Sequence, residues 1–248
     1  MRILHAEFLK LRRSLAWTVA VVLPIVMVGT ATVNTIAADA SPDGWHTLWL
    51  RSTVFYGLFP LAVGVAIIAA LVWRPEHLGG NRNALMAAPT RTWQIVVVKT
   101  SVIAVLAVAM QVVLVVAVIL AGKLVIDVSG ALPLRYSMIG ATIAVATIPV
   151  AAVQSLASMV LRSFGGSIAV ALVGAGTSAL ILLAVGDLAM ISPYGLAARA
   201  TQLGTGTFAD HGPVTPTIVV AIILIAFAVT ALVVGVASAT LDRSDVRT

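Results

Sequence analysis

The side chains of this chain that can move protons, bind metals or attack a bond are few and scattered. Its four histidines, His5, His46, His77 and His211, stand far apart, and no H-E-x-x-H spacing sets two of them on one helix face beside a general base. No apolar stretch holds both a serine and a histidine, so a membrane-embedded nucleophile and base are missing. The nucleotide-cradling G-x-x-x-x-G-K-[ST] loop is absent as well. Gly174-Ala175-Gly176 opens a nominal G-x-G-x-x-A, but it lies inside an apolar run with no strand before it and reads as packing. With no cysteine, thiolate zinc sites, iron–sulfur clusters and disulfides are excluded. The chain is read as non-catalytic, with no metal site and no cofactor of its own.

The polar groups embedded in apolar surroundings are neutral: Asn34, Gln111, Gln154, Ser155, Ser158, Thr177 and Ser178. Amides and hydroxyls there either hydrogen-bond helices together or line a path for an amphiphile. Both readings stand, and the path is assigned to Asn34, Gln111, Gln154, Ser155 and Ser158.

The elements that must position these groups are six long, nearly charge-free stretches: Leu15–Ala37, Thr53–Trp73, Ile95–Ala121, Met138–Leu161, Gly166–Gly186 and Pro216–Thr240. Each reaches the roughly 20 residues a helix needs to cross about 30 Å of hydrocarbon. A charge at a helix centre costs about 2.5–3.5 kcal/mol on insertion, so the collection of charges in the gaps marks spans rather than soluble core helices. Composition agrees: 60% hydrophobic, 10% charged, mean hydropathy +1.10. The gaps are too short to bury a core of their own. The expected fold is an all-α membrane protein in one domain, 1–248, with six transmembrane helices and an N-terminal interfacial helix.

A net charge of +6 invites a nucleic-acid reading, but the basic residues divide by topology. With the N-terminus inside, eleven basic and four acidic residues lie on the inner side, and four basic and five acidic on the outer. That asymmetry is the positive-inside pattern, and it predicts both termini in the cytoplasm, a lipid membrane as partner and no nucleic acid. Ala38-Asp39-Ala40 has the look of a signal-peptidase site, yet the run before it is far longer than a secretory h-region. The first span is expected to stay.

Residues Met1–Arg13 read as an amphipathic helix, with Ile3, Leu4, Phe8 and Leu11 toward the membrane and Glu7, Lys10, Arg12 and Arg13 toward headgroups or a partner. Pro24, Pro60 and Pro149 fall inside spans and predict kinks. Ala171, Ala175 and Ala179 place small residues on one face of the fifth span, where another helix can approach. Ile191–Ala197 is apolar enough to lie in the interface or dip back into the outer leaflet. Ion-coupled carriers usually keep a charged group within the membrane, and the nearest here is Asp187, at the end of the fifth span. The stretch from Arg74 to Lys99 has interfacial Trp73, a Gly79-Gly80-Asn81 break and a short helical segment Asn83–Ala88, the makings of a docking knob on the inner surface.

At this point the chain resembles the small six-span ABC-2-type transporter permeases, particularly those related to lantibiotic-immunity transporters. The similarity rests on Glu7, Lys10, Arg12, Arg13 and Ser14 in the opening E-x-x-K-x-[KR]-[RK]-S pattern, and on Glu76, Pro89, Arg91 and Lys99 between the second and third spans. Where the family commonly has Gly-Thr after the Glu, this chain has Gly79-Gly80-Asn81. The resemblance implies a type V exporter-like fold in a bacterial cell membrane, and a permease that exports an amphipathic peptide antibiotic, lipid or hydrophobic drug. It implies a cytoplasmic ABC ATPase dimer holding ATP and Mg, and a second permease, identical or not. By the same analogy Glu7, Lys10, Glu76, His77, Arg82, Asn83 and Arg91 would contact the ATPase, and Ile191–Ala197 would belong to an outer re-entrant hairpin. The alternatives are a stand-alone channel or secondary transporter, which the three amides would suit as pore lining, and a membrane scaffold without transport.

Overall fold

The computed structural model describes residues 7, 14–38, 44–77, 91–208, 210 and 213–245. Lys10, Arg82 and Asn83, with most of the expected interfacial helix and the segment Asn83–Ala88, lie outside the described residues. The described chain is helical throughout and holds no strand: α1 (Ala16–Ala37), α2 (Trp45–Leu58), α3 (Pro60–His77), α4 (Thr92–Leu124), α5 (Leu134–Val160), α6 (Phe164–Val185), a 3₁₀ turn (Gly186–Ile191), α7 (Pro193–Gln202) and α8 (Pro216–Asp245).

Five helices are long and apolar enough to cross a membrane, and α2 with α3 make a sixth if the bent pair is one span. The expected second span, Thr53–Trp73, is corrected at its start, because the helical stretch begins at Trp45, ahead of His46 and Arg51. The kink expected at Pro60 is present as a break at Phe59 with a 54° bend. Pro60 is the cause: lacking an N–H and clashing with the preceding turn, it cannot continue α2, but it is well suited to the first turn of α3. Pro24 and Pro149, by contrast, sit inside unbroken α1 and α5.

Among the five single-helix spans α5 is the most enclosed and α8 the least. α4 packs between α1 and α5, while α3 and α8 lie against other faces of α5. Close approach depends on small residues, the usual basis of helix association in lipid. Ala171, Ala175 and Ala179 form the buried face of α6, and a Cβ on Gly174 would overlap the Tyr194 ring of α7. Of the two placements expected for Ile191–Ala197, in the interface or dipping back, the packing follows the second: Ile191 is exposed, but from Tyr194 to Gln202 every residue of α7 is buried, among α2, α5 and α6.

Candidate functional site

α4 carries a lysine two turns from its start, about 10 Å along the helix from Thr92. Lys99 is 1% exposed. Burying an ammonium costs several kcal/mol unless charge and hydrogen bonds return it, and its surroundings do both. Nζ stands 3.0 Å from Glu7 Oε2 and 3.0 Å from Glu76 Oε1, and it donates to the Val72 carbonyl at 3.2 Å. Three acceptors match the three protons of an ammonium. The Trp73 ring lies 5.0 Å from Nζ, a cation–π contact on the remaining side. One cation thus joins Glu7, the last turns of α3 and the first turns of α4.

The same end is braced crosswise. Trp73 Nε1 donates to Ser155 Oγ (3.0 Å), and Thr100 Oγ1 donates to that oxygen at 3.1 Å, linking α3, α4 and α5. His77 Nε2 lies 2.7 Å from the Ser158 carbonyl, which can only accept, so Nε2 carries the proton. Ser158 and Ser167 join α5 to α6 through their hydroxyls at 2.8 Å.

This geometry revises the placement of the sequence-derived residues. Glu7, expected on a polar face toward headgroups or a partner, is buried against Lys99 of the same chain, whose charge offsets the loss of water. Glu76 is buried on the same cation, His77 is half-buried on α5, and Arg91, just before α4, is exposed. The five residues assigned to a single path do not converge. Asn34 is exposed, beside and not on the buried face of α1 that holds Val28, Ala31, Thr32 and Thr35. Gln111 donates to the Tyr56 hydroxyl (3.0 Å), Gln154 donates to the Tyr194 hydroxyl (2.7 Å), and Ser155 and Ser158 belong to the braces above. Each Gln keeps an Oε1 that is buried without a partner among the described residues.

The opposite end holds a second buried cation. Arg199 of α7 reaches Asp187 Oδ1 at 2.6 Å through Nε and Asp210 Oδ1 at 3.3 Å through Nη1. Asp210 also accepts from the Gly206 backbone N–H at 3.0 Å. Gln202 donates to the Val54 carbonyl of α2 (3.3 Å) and accepts from Thr207 Oγ1 (3.0 Å). Among the described residues no three His, Asp or Glu side chains converge as a metal site.

Residues 3–178, well over half of the chain, match the family model described as ABC-2 family transporter protein. The chain belongs to the ABC-2 family. No curated protein and no solved structure matches it. This ABC-2 protein is therefore a membrane component of an ABC transporter, in the class of permease subunits. The matched stretch contains Glu7, Glu76 and Lys99 with all of their braces, and it ends before the Arg199 cluster.

Sequence reasoning placed Lys99 in the family pattern but gave it no role, and it missed Trp73, Thr100, Ser167, Asp210 and Arg199 as partners. One signal was present for the lysine. A cation seven residues inside an apolar helix demands a carboxylate, and Glu7 and Glu76 are the acids on its own side in the first half of the chain.

Proposed function

We propose that this ABC-2 protein is the permease subunit of an ATP-driven exporter of an amphipathic substrate (a peptide antibiotic, a lipid or a hydrophobic drug), akin to the lantibiotic-immunity transporters. It sits in a bacterial cell membrane with both termini cytoplasmic and works with two cytoplasmic ABC ATPases and a second permease. ATP and Mg are held by the ATPases, and the chain itself catalyses nothing.

The observation that carries this reading is the Lys99 clamp. The segment 78–90 joins α3 to α4, and Glu76 and Lys99, close to its two ends, are bound to each other at 3.0 Å. A push on that segment reaches α3 and α4 together, because the ion pair keeps them from splaying. It passes to α5 through Trp73–Ser155 and His77–Ser158, and from α5 to α6 through Ser158–Ser167. Glu7 meets the same cation at 3.0 Å. In this mechanism Glu76 and Glu7 position the docking surface rather than touch the ATPase. Arg91 is exposed and is the described residue proposed to touch the ATPase; the roles proposed for Lys10, Arg82 and Asn83 rest on the family resemblance alone.

The test is purification from the native membrane in mild detergent, followed by mass spectrometry of what accompanies the chain. A stoichiometric subunit with a Walker motif is the expected companion. Recovery without any ATPase, under conditions that keep a known transporter complex intact, would transfer the assignment to a self-sufficient channel or carrier.

A further inference from the structure

At the end of the bundle remote from Lys99, an open groove of about 1130 Å³ runs between α5 and the first turns of α8. That exceeds the roughly 300–1,000 Å³ of a small-ligand pocket. Its lining is polarised along the helices. His46, Arg135 and the hydroxyl of Tyr136 stand where α5 begins, while Ile139, Val145, Val219 and Ile223 continue the wall inward. From Arg135 to Val145 is ten residues, about 15 Å of helix.

The polar end is built rather than incidental. Tyr136 is 1% exposed, and its hydroxyl fixes both neighbours. Arg135 Nη2 donates to it at 2.6 Å, and His46 turns Nδ1 to it at 3.1 Å, which leaves Nε2 for a ligand. The Arg135 guanidinium lies 4.6 Å from the Tyr136 ring centroid, yet it is paired with no carboxylate among the described residues. Asp210 lines the same groove, but its carboxylate is already taken up by Arg199 and the Gly206 N–H. Among the described residues, the uncompensated charge facing the groove is therefore positive, and the wall leading away from it is apolar.

A positive head site with an apolar trough fits a negatively charged head on a hydrocarbon chain. Both walls are helices of membrane-spanning length, and the abundant apolar species at that depth is lipid. We propose that this groove binds an anionic phospholipid of the surrounding bilayer, with its phosphate at Arg135 and His46 and an acyl chain along Ile139, Val145, Val219 and Ile223. The site does not depend on what the transporter exports or on which ATPase drives it.

The experiment is native mass spectrometry of the full chain in mild detergent, with equal amounts of phosphatidylglycerol and phosphatidylcholine added. The wild type is expected to retain phosphatidylglycerol with roughly five-fold preference, about what one basic residue near the membrane contributes, and Arg135→Gln to lose that preference. Val145→Trp, which fills the trough, is expected to release both lipids. Equal retention by the wild type, or an unchanged preference in Arg135→Gln, would overturn the proposal. A photoactivatable phosphatidylglycerol gives an answer without any substitution: label on 138–145 and 219–223 supports the site, and label confined elsewhere overturns it. A dimer whose groove peptides stay unlabelled would assign the groove to a second copy and overturn it equally.

Discussion

Lys99 and Arg199 are both buried cations set between two carboxylates, but they gather their partners differently. Arg199 finds Asp187 and Asp210 within twelve residues of itself, whereas Lys99 reaches across ninety-two residues to Glu7. The surroundings differ too: Asp187 is 55% exposed, while both carboxylates at Lys99 are nearly dry. A local cluster with one wet partner folds a cap. A long-range cluster with dry partners fastens separate parts of the chain, and water cannot take the place of a lost member.

This contrast is broken most severely at the lysine. Lys99→Met removes the cation that Glu7 and Glu76 share out of water, and the expected loss is about 3–5 kcal/mol, read as unfolding in detergent by a calibrated denaturant series. Arg199→Met is expected to cost less, roughly 2–3 kcal/mol, because Asp187 can rehydrate and only Asp210 is stranded. Equal losses in the two variants would erase the distinction drawn here. The seat of Arg199's helix gives a third measure. A Cβ on Gly57 would overlap Thr201, so Gly57→Ala should cost about 1–3 kcal/mol by overpacking α2 on α7, and thermal unfolding of that variant checks it. Smallest of all is Asp187→Asn, which removes a half-exposed partner and is expected within about 1 kcal/mol of wild type by the same melt.

Much of the fold is legible in the sequence because charge avoids hydrocarbon, and that rule locates six spans without any tertiary knowledge. It fails at the second span for a physical reason. His46 and Arg51 interrupt the apolar pattern without interrupting the helical backbone, and Pro60 ends one helix by the same property that lets it begin the next. Asn34 was within reach of helical periodicity, since Ala20, Pro24, Val28, Ala31 and Thr35 define a face of α1 that excludes it. The partners of Gln111 and Gln154 were not, because nothing local marks Tyr56 and Tyr194 as the hydroxyls they meet. Lys99 shows both sides: its need for a carboxylate is written in its apolar setting, but the choice of Glu7 and Glu76 together depends on how three segments converge.

The central claim is that Glu7, Lys99 and Glu76 act as one clamp that holds the docking surface for an ATPase. A double-mutant cycle tests it directly: Glu7→Gln, Lys99→Met and their combination, each read as the amount of ATPase recovered per folded permease. The account predicts that each single substitution lowers recovery and that the double variant is no worse than Lys99→Met alone. Additive losses, or undiminished recovery in Lys99→Met, would contradict it.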